Sequence, residues 1–336
     1  METNNKSLLF FSIIIPCHNS IDFIELGLLP LLEFVQQSQN VEILFVDDGS
    51  SDNTLQKLNS FQSNYPRIKV FSNKVSKGPN FSRNIGIQNA TGDYILFLDC
   101  DDQFELETLF YLINSEFVIN YEMINFGIKF INQLGNINKK FIPKQQELCN
   151  NEIVELFLGG SIPKVCWNKV YSREFLIKNN IKFIPDKVHG RDTLFTLECI
   201  KLSRRILLDE HVLVNSIIRN KSFSRNYSIK NIQSAIVIIN DLDSYLSVNF
   251  DNNDEYFSFV HKYIRYTIIV SLFRMKDFRD FKKGFEQIKT NKIARKYLFN
   301  NRGLAPLSLF IFFVNISPQI MFNLVKVLKK YIKNPY

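Results

Sequence analysis

One stretch of the sequence decides the fold: residues 93–102 read DYILFLDCDD, an apolar run that ends in a cluster of carboxylates. Residues 41–50 repeat the arrangement as VEILFVDDGS. Continuous apolar runs of this length, rich in β-branched and aromatic residues, predict strands that are buried on both faces, as in a parallel sheet. The carboxylates then follow directly after the last buried residue of each strand.

Helical segments separate four such strands along the first third of the chain. The predicted strands are Phe10–Ile15 (ending at Pro16), Val41–Val46, Arg67–Ser72 and Asp93–Leu98. The predicted helices are Ile21–Gln37, Asp52–Asn64 and Asn80–Asn89. This alternation predicts an α/β fold with a doubly wound, mainly parallel central sheet and flanking helices. Ligands of such sheets bind beyond the carboxyl ends of the strands.

Two acidic clusters occupy that position, Asp47-Asp48 and Asp99-Cys100-Asp101-Asp102. They would repel each other unless a cation lies between them, and an Asp-x-Asp pattern suits a hard divalent ion such as Mg²⁺ or Mn²⁺. The first strand is not followed by Gly-x-Gly-x-x-Gly, and the chain has no Gly-x-x-x-x-Gly-Lys-Ser/Thr, which argues against a Rossmann dinucleotide site and a P-loop. The pattern therefore favours a nucleotide diphosphate held through a metal ion.

The charge of the chain is unevenly distributed. The 336 residues carry a formal net charge of +8, made up of −5 over residues 1–102, 0 over 103–259 and +13 over 260–336. A hydrophobic share of 46% excludes a disordered chain. Five cysteines without a Cys-x-x-Cys pair indicate reduced thiols rather than a disulfide framework or a zinc site. We expect a cytoplasmic protein without a signal peptide.

Residues 301–336 are predicted to form an apolar and basic amphipathic tail. The uncharged segment 303–325 could span a bilayer, but its polar centre, Asn315–Gln319, favours a dip into the interface. Beyond it, Lys326, Lys329, Lys330 and Lys333 share one helical face opposite an apolar one. This predicts peripheral association with the anionic inner face of the cell membrane rather than nucleic-acid binding. A soluble helix packed on the protein body remains the alternative.

Several motifs together resemble the family 2 glycosyltransferases, whose fold is called GT-A. They are FSIIIPCHN, EILFVDDGSSDNT and GPNFSRNIGIQNATGDYILFLDCDD, in matching order across residues 10–115. A second stretch, VCWNKVYSREFLIKNNIKF followed by GRDTLF, is similar to the acceptor-side half of polysaccharide-assembling members. The resemblance implies a catalytic domain over 1–225, with a nucleotide-sugar half (10–115) and an acceptor half (116–225). A helical extension (226–300) and the tail (301–336) would follow.

The resemblance also implies roles for individual residues on the donor side. The candidates for nucleotide-sugar binding are Pro16, His18, Asn19, Asp47, Asp48, Gly78, Arg83, Asp99 and Asp102. Asp48 matches the residue that accepts from uracil, with Asp47 supporting the loop or the ribose, and Arg83 would serve the base or the pyrophosphate. Asp101 matches the direct ligand of Mn²⁺ or Mg²⁺, and Asp99 contacts the ribose or a metal-bound water. Asp102 would orient the loop or the donor sugar.

Asp192 matches the general base of the family, which takes the proton of the acceptor hydroxyl. Here Arg191 replaces the usual Glu, and its guanidinium should lower the pKa of Asp192. Arg191 could instead bind an acidic group of the acceptor, and His189 is a second candidate base. The acceptor side is predicted to include Trp167, Asn168, Lys169 and Arg191.

The resulting expectation is an inverting, metal-dependent glycosyltransferase of the hexosyltransferase type. It would move a sugar from a nucleotide sugar, a UDP-sugar by the Asp48 match, to a hydroxyl of a lipid-linked oligosaccharide in surface-polysaccharide synthesis. Two other interpretations stay open. A nucleotidyltransferase of related fold would need a basic, Gly-rich loop where residues 16–23 read PCHNSIDF. A catalytically inactive membrane scaffold is compatible with the basic tail, although intact Asp99, Asp101 and Asp192 argue against loss of activity.

Overall fold

The structure, a computed structural model, describes residues 8–185, 188, 190–219, 228–249, 268, 272, 275, 277–299 and 322. These residues form two compact units. The first holds the described residues of Met1–Phe157, Ile162–Lys187 and Arg191–Ile218, and the second those of Leu158–Ser161, Val188–Gly190 and Arg219–Tyr336. The expected domain boundary at residue 225 lies outside the described residues.

A central sheet forms the core of the first unit. Its strands are β1 (Phe11–Cys17), β2 (Val41–Asp47), β3 (Ile68–Ser72), β4 (Tyr94–Phe97), β5 (Gln103–Phe104), β6 (Met123–Asn132), β7 (Ile137–Phe141), β8 (Gln146–Leu148), β9 (Lys169–Ser172) and β10 (Ile206–Ile218). The main order is β3-β2-β1-β4-β9-β6-β10-β5, with β7 beside β6 and β8 beside β10. Strands β3, β2, β1 and β4 are parallel, as predicted. Beyond β4 the sheet is mixed, because β9 runs antiparallel to both β4 and β6.

Helices flank this sheet in the first unit. They are α1 (Ile21–Gly27), α2 (Leu29–Gln37), α3 (Thr54–Asn64), α4 (Pro79–Asn89), α5 (Leu106–Ile113), α6 (Asn150–Gly159), α7 (Arg173–Lys178) and α8 (Asp192–Leu202), with a 3₁₀ helix at Glu116–Asn120. The continuous helix expected over Ile21–Gln37 is two helices that meet at Leu28. Pro30 lies in the first turn of α2, where a missing N–H costs nothing; within a continuous helix it would remove a hydrogen bond.

Burial and register place the predicted ligand edge. Every residue of β1, β2 and β4 is buried. Cys17 is paired with Asp47, and Ile14 with Phe97, so the three strands end at one edge. Close packing of α4 supports that edge, because a Cβ on Gly86 would lie 2.3 Å from Ile14 Cγ2. The residues that follow these strands, beginning with His18, Asp48 and Leu98, are therefore neighbours in space.

The second unit is helical in the part that is described. It contains α9 (Ile229–Asn249), α10 (Phe278–Thr290) and α11 (Lys292–Phe299). The ring of Phe322 is buried and lies 5.2 Å, centroid to centroid, from the rings of Phe278 and Phe281. Among the described residues, no helix combines the length and hydrophobicity needed to cross a bilayer. Apart from Phe322, the predicted tail lies outside the described residues.

Candidate active site

The loops after β1 and β2 are fastened to each other. Asn19 takes a left-handed conformation, with φ +48°. Its N–H donates to Ser50 Oγ at 2.9 Å, and its Oδ1 accepts from Ser51 N at 2.8 Å. His18 is exposed, and its Nδ1 lies 2.9 Å from the backbone oxygen of Asp48. Pro16 is buried inside β1 rather than at its end. His18 and Asn19 thus form an exposed, internally braced rim at the ligand edge.

The Asp48 carboxylate is engaged by the segment 73–78. It accepts four hydrogen bonds of 2.7–2.9 Å, from Asn73 Nδ2, Ser76 Oγ, Lys77 N and Gly78 N. Burial alone would raise the pKa of Asp48, but these hydrogen bonds outweigh it and lower the pKa. In this arrangement the carboxylate organises the loop that precedes α4, which the sequence analysis did not anticipate. Its predicted uracil contact stays a prediction.

Gly78 supplies the backbone conformation that this arrangement needs. Its φ is +96°, in the left-handed region that favours glycine, and Pro79 then begins α4. The Gly78 N–H thereby points to the Asp48 carboxylate at 2.7 Å. Neighbouring Asp47 is buried; its Oδ2 accepts from Ser50 N at 3.2 Å, whereas its Oδ1 has no hydrogen-bond partner among the described residues.

Arg83 and Asp99 form an ion pair beneath the edge. Arg83 Nη2 lies 2.6 Å from Asp99 Oδ1, and Nη1 donates to Asn80 Oδ1 at 2.9 Å. The Arg83 side chain is 7% exposed and that of Asp99 35%. Burial alone would lower the pKa of Arg83, but Cys166, Asp99 and Asp192 outweigh it and raise the pKa. Arg83 therefore interacts electrostatically with both Asp99, in the loop after β4, and the predicted base Asp192.

Asp102 fastens the loop after β4 to β10. It is 5% exposed, and its Oδ1 accepts from Ile217 N at 2.8 Å. Burial, and then the charges of Asp99 and Asp101, raise the pKa of Asp102 well above its usual value. The three carboxylates thus create a negative potential that a cation would relieve. Among the described residues, no three His, Cys, Asp or Glu side chains are grouped as a complete metal site.

Asp192 is the first residue of α8, and it is partly buried. Its carboxylate accepts a hydrogen bond from the backbone N–H of Cys166. Burial raises the pKa of Asp192; Asp99 adds to the rise, while Arg83 and Lys169 oppose it. The expected lowering of this pKa is wrong, because burial outweighs the charges of Arg83 and Lys169. His189, the second candidate base, lies outside the described residues.

The predicted acceptor residues 167–169 are buried rather than displayed. Trp167 is 8% exposed, and Asn168 and Lys169 are fully buried. Lys169 Nζ donates to Pro163 O at 2.9 Å, to Val165 O at 2.7 Å and to Asn168 Oδ1 at 2.7 Å. All three ammonium hydrogens are therefore used within the protein. This differs from the expected acceptor-facing wall, and the buried strand pattern of Val170 and Tyr171 was the available sequence signal for it.

The comparisons with known proteins agree with this fold. The family model described as Glycosyl transferase family 2 matches residues 12–177, about half of the chain. An uncharacterized glycosyltransferase of Haemophilus influenzae is 29% identical over 60% of this chain and 75% of its own. A poly(ribitol-phosphate) beta-glucosyltransferase of Bacillus spizizenii is 31% identical over 58% of this chain but 30% of its own. The chain therefore spans less than a third of that enzyme.

A solved structure reproduces the fold over nearly the whole chain. The S. aureus TarS 1–349 fragment, solved in complex with UDP-GlcNAc, aligns with a TM-score of 0.68 at 17% identity. The alignment covers 98% of this chain and 93% of that one. At this identity the likeness establishes the GT-A fold alone. Fold, family match and named relatives together make the chain a member of the family 2 glycosyltransferases.

Proposed function

We propose that the protein is an inverting, metal-dependent glycosyltransferase that uses a UDP-sugar. The observation that carries the proposal is the electrostatic grouping of Arg83, Asp99 and Asp192 at the ligand edge of the sheet. These residues come from α4, from the loop after β4 and from the start of α8. A partly exposed carboxylate with a raised pKa, beside a buried guanidinium, is typical of a general base.

The donor nucleotide would bind along the carboxyl ends of β1, β2 and β4. His18 and Asn19 form the exposed rim for the nucleoside, and the loop held by Asp48 brings the Gly78 backbone to the same edge. The fold of TarS, solved with UDP-GlcNAc, supports a uridine nucleotide as the first candidate. Asp47, Asp48 and Pro16 would then act mainly by shaping this edge.

The residues after β4 suit a divalent cation. Asp101 and Asp99 would hold Mn²⁺ or Mg²⁺, because such ions take one or two carboxylates together with substrate phosphate oxygens and water. Burial, and then the charges of Asp99 and Asp101, raise the pKa of Asp102, and a cation at this place would offset those charges. When bound, the ion would neutralise charge on the departing diphosphate.

Asp192 would act as the general base. Its carboxylate would accept the proton of the acceptor hydroxyl while that oxygen attacks the anomeric carbon. Attack from the face opposite the diphosphate inverts the configuration. The raised pKa strengthens the carboxylate as a proton acceptor, provided that it remains ionised at the working pH. Arg83 and the Cys166 N–H favour the ionised form.

The acceptor we propose is a lipid-linked glycan in surface-polysaccharide synthesis at the cytoplasmic face of the membrane. The basic tail supports a membrane-bound acceptor. The Bacillus relative is named for poly(ribitol-phosphate), and Arg191 could pair with a phosphate of such an acceptor. The two acceptor classes are distinguished by measuring transfer from one donor to a lipid-linked glycan and to poly(ribitol-phosphate). The same two measurements on Arg191→Gln show whether this residue serves the phosphate-containing acceptor.

The function is tested with D101N and D192N. We expect both variants to fold and to lose metal-dependent UDP-sugar hydrolysis and transfer by at least about 10²-fold. D192N should still show the rise in melting temperature that UDP with Mn²⁺ produces, because it retains the donor side, whereas D101N should not. Full activity in both variants would refute the assignment. No thermal shift of the wild type with any nucleotide diphosphate would favour the inactive scaffold.

A further inference from the structure

A buried lysine lies beside the proposed base without any part in donor binding. Lys169 opens β9, in the centre of the sheet between β4 and β6, and is 0% exposed. A buried ammonium is costly unless each of its hydrogens is bound. Here each one is, and every acceptor belongs to the segment 163–168 that directly precedes the lysine.

The segment 163–168 is therefore wrapped around the ammonium. Lys169 binds the carbonyls of Pro163 and Val165, on one side of Cys166, and the Asn168 amide on the other. Asn168 in turn donates to Phe126 O at 2.6 Å, which ties the segment to β6. The ammonium therefore holds three positions of the segment, and Asn168 anchors the segment to β6.

Cys166, at the middle of this segment, is the residue whose N–H donates to the Asp192 carboxylate. The groups that act on Asp192 come from four parts of the first unit. They are Arg83 from α4, Asp99 from the loop after β4, Cys166 from the segment 163–168, and Lys169 from β9. Lys169 is itself one of these four groups, and Cys166 lies in the segment that Lys169 binds.

We propose that Lys169 is a positioning residue for the general base: it folds the segment 163–168 so that the Cys166 N–H faces Asp192, and its charge favours the ionised carboxylate. The inference rests on the proposed role of Asp192. Burial lowers the pKa of Lys169 to about 7. Below that pH the lysine is mainly charged. Its charge opposes the protonation of Asp192, which would otherwise lower the rate.

The test compares Lys169→Gln and Lys169→Arg in the full chain. Gln is neutral but keeps two N–H donors for the carbonyls of the segment; Arg keeps the charge in a different shape. The readout is the pH profile of kcat/KM for metal-dependent hydrolysis of whichever UDP-, GDP- or dTDP-sugar the wild type cleaves, with water as acceptor. Lys178→Gln removes an exposed lysine at the end of α7 and is the matched control.

We expect K169Q to move the acid limb of the profile upward by about one pH unit, a roughly tenfold loss on that limb. K169R should leave the acid limb in place but lower the plateau of kcat/KM, because a planar guanidinium cannot reproduce the three bonds. K178Q should resemble the wild type. A folded K169Q with the wild-type acid limb would overturn the proposal, as would K169R with an unchanged plateau.

Folding is checked by thermal melting of each variant. If K169Q does not fold, the plateau of K169R decides; failure of both to fold would leave Lys169 a residue of stability alone and overturn the proposal. The parent function fails separately. A wild type that cleaves no nucleotide sugar, or a D192N that cleaves it normally, refutes the general base whatever the lysine variants do.

Discussion

Arg83 Nη2 lies 2.6 Å from Asp99 Oδ1, and the same buried guanidinium interacts with Asp192. One cation therefore balances a carboxylate on the donor side and the proposed base on the acceptor side. Removing a partner of a buried pair is costly because the other charge is left uncompensated. The pair links the two halves of the proposed reaction through a single residue.

Arg83→Met should affect both the donor side, through Asp99, and the acceptor side, through Asp192. We expect a stability loss of about 1–3 kcal/mol in urea unfolding, discounted because Asp99 is 35% exposed. The acid limb of kcat/KM should also shift upward, since Asp192 loses a favourable charge. Arg83→Lys keeps the charge, so the acid limb of its kcat/KM profile should lie close to that of the wild type. A stable R83M with normal kinetics would show that the pair has no catalytic importance.

Asp192→Asn should be more stable than the wild type near pH 7. The pKa of Asp192 is raised in the folded state, so the fold binds its proton more tightly than the unfolded chain does. Stability from this group is complete below the unfolded value of 3.8 and is lost as pH rises through the folded pKa. At neutral pH the ionised carboxylate therefore lowers the stability of the wild type, whereas the uncharged amide of D192N does not. We therefore expect a higher melting temperature for D192N than for the wild type at pH 7.

The pH dependence of this difference is its control. Between D192N and the wild type, the gap in melting temperature should shrink below the folded pKa of Asp192 as the wild type becomes protonated. A gap that is constant with pH would point to packing rather than charge. Lower stability of D192N at pH 7 would contradict the prediction.

Asp48→Asn should loosen the loop before α4. The amide nitrogen would face two donors, because Ser76 Oγ and Gly78 N both reach Asp48 Oδ2. We expect a loss of about 2–3 kcal/mol at pH 7. The pKa of Asp48 is lowered in the fold, so its contribution is present above the unfolded value and falls as pH drops through the folded one. Unfolding of D48N should accordingly depend less on acid pH; an unchanged acid dependence would contradict this account.

The strand–helix framework was predictable because it depends on local periodicity. The four parallel strands fall within two residues of their predicted bounds, and the acidic clusters lie at the carboxyl ends of β2 and β4. The break at Leu28 was missed because Pro30 suits a first helical turn as well as a stop. Strand β9 could not be placed, since its antiparallel position between β4 and β6 depends on contacts between distant parts of the chain.

Dependence on contacts between distant parts of the chain also explains why only some features of the candidate site could be predicted from the sequence. Asp99 and Asp192 carry a sequence pattern, so their positions were anticipated. The use of Asp48 by the segment 73–78, and of Lys169 by the segment 163–168, depends on hydrogen bonds to backbone atoms. Backbone donors and acceptors have no sequence signature. A lysine and an aspartate that look suited to a substrate can therefore be occupied inside the protein.

The basic tail is predicted to bind anionic membranes, and the contacts of Phe322 in the second unit guide the choice of variant. Deleting residues 303–336 is a poor test, because it would also remove Phe322 from the rings of Phe278 and Phe281. A fourfold change of Lys326, Lys329, Lys330 and Lys333 to Gln keeps Phe322 in the chain. Each basic residue near an anionic surface contributes about 1 kcal/mol to binding. We expect this variant to lose binding to phosphatidylserine-containing vesicles in flotation by at least about 10²-fold at low salt.

The matched control is the same loss of charge on a described surface. Lys282, Lys283, Lys289 and Lys292 are exposed on α10 and α11, so their change to Gln removes four charges without touching the tail. If binding depends on an amphipathic tail, the control should retain most of its affinity, and both variants should keep the thermal shift with UDP and Mn²⁺. Equal losses in the two variants would mean that net charge alone attracts the protein. Salt-resistant binding of the wild type would exclude the electrostatic anchor, because exposed charges are screened beyond about 8 Å at physiological ionic strength.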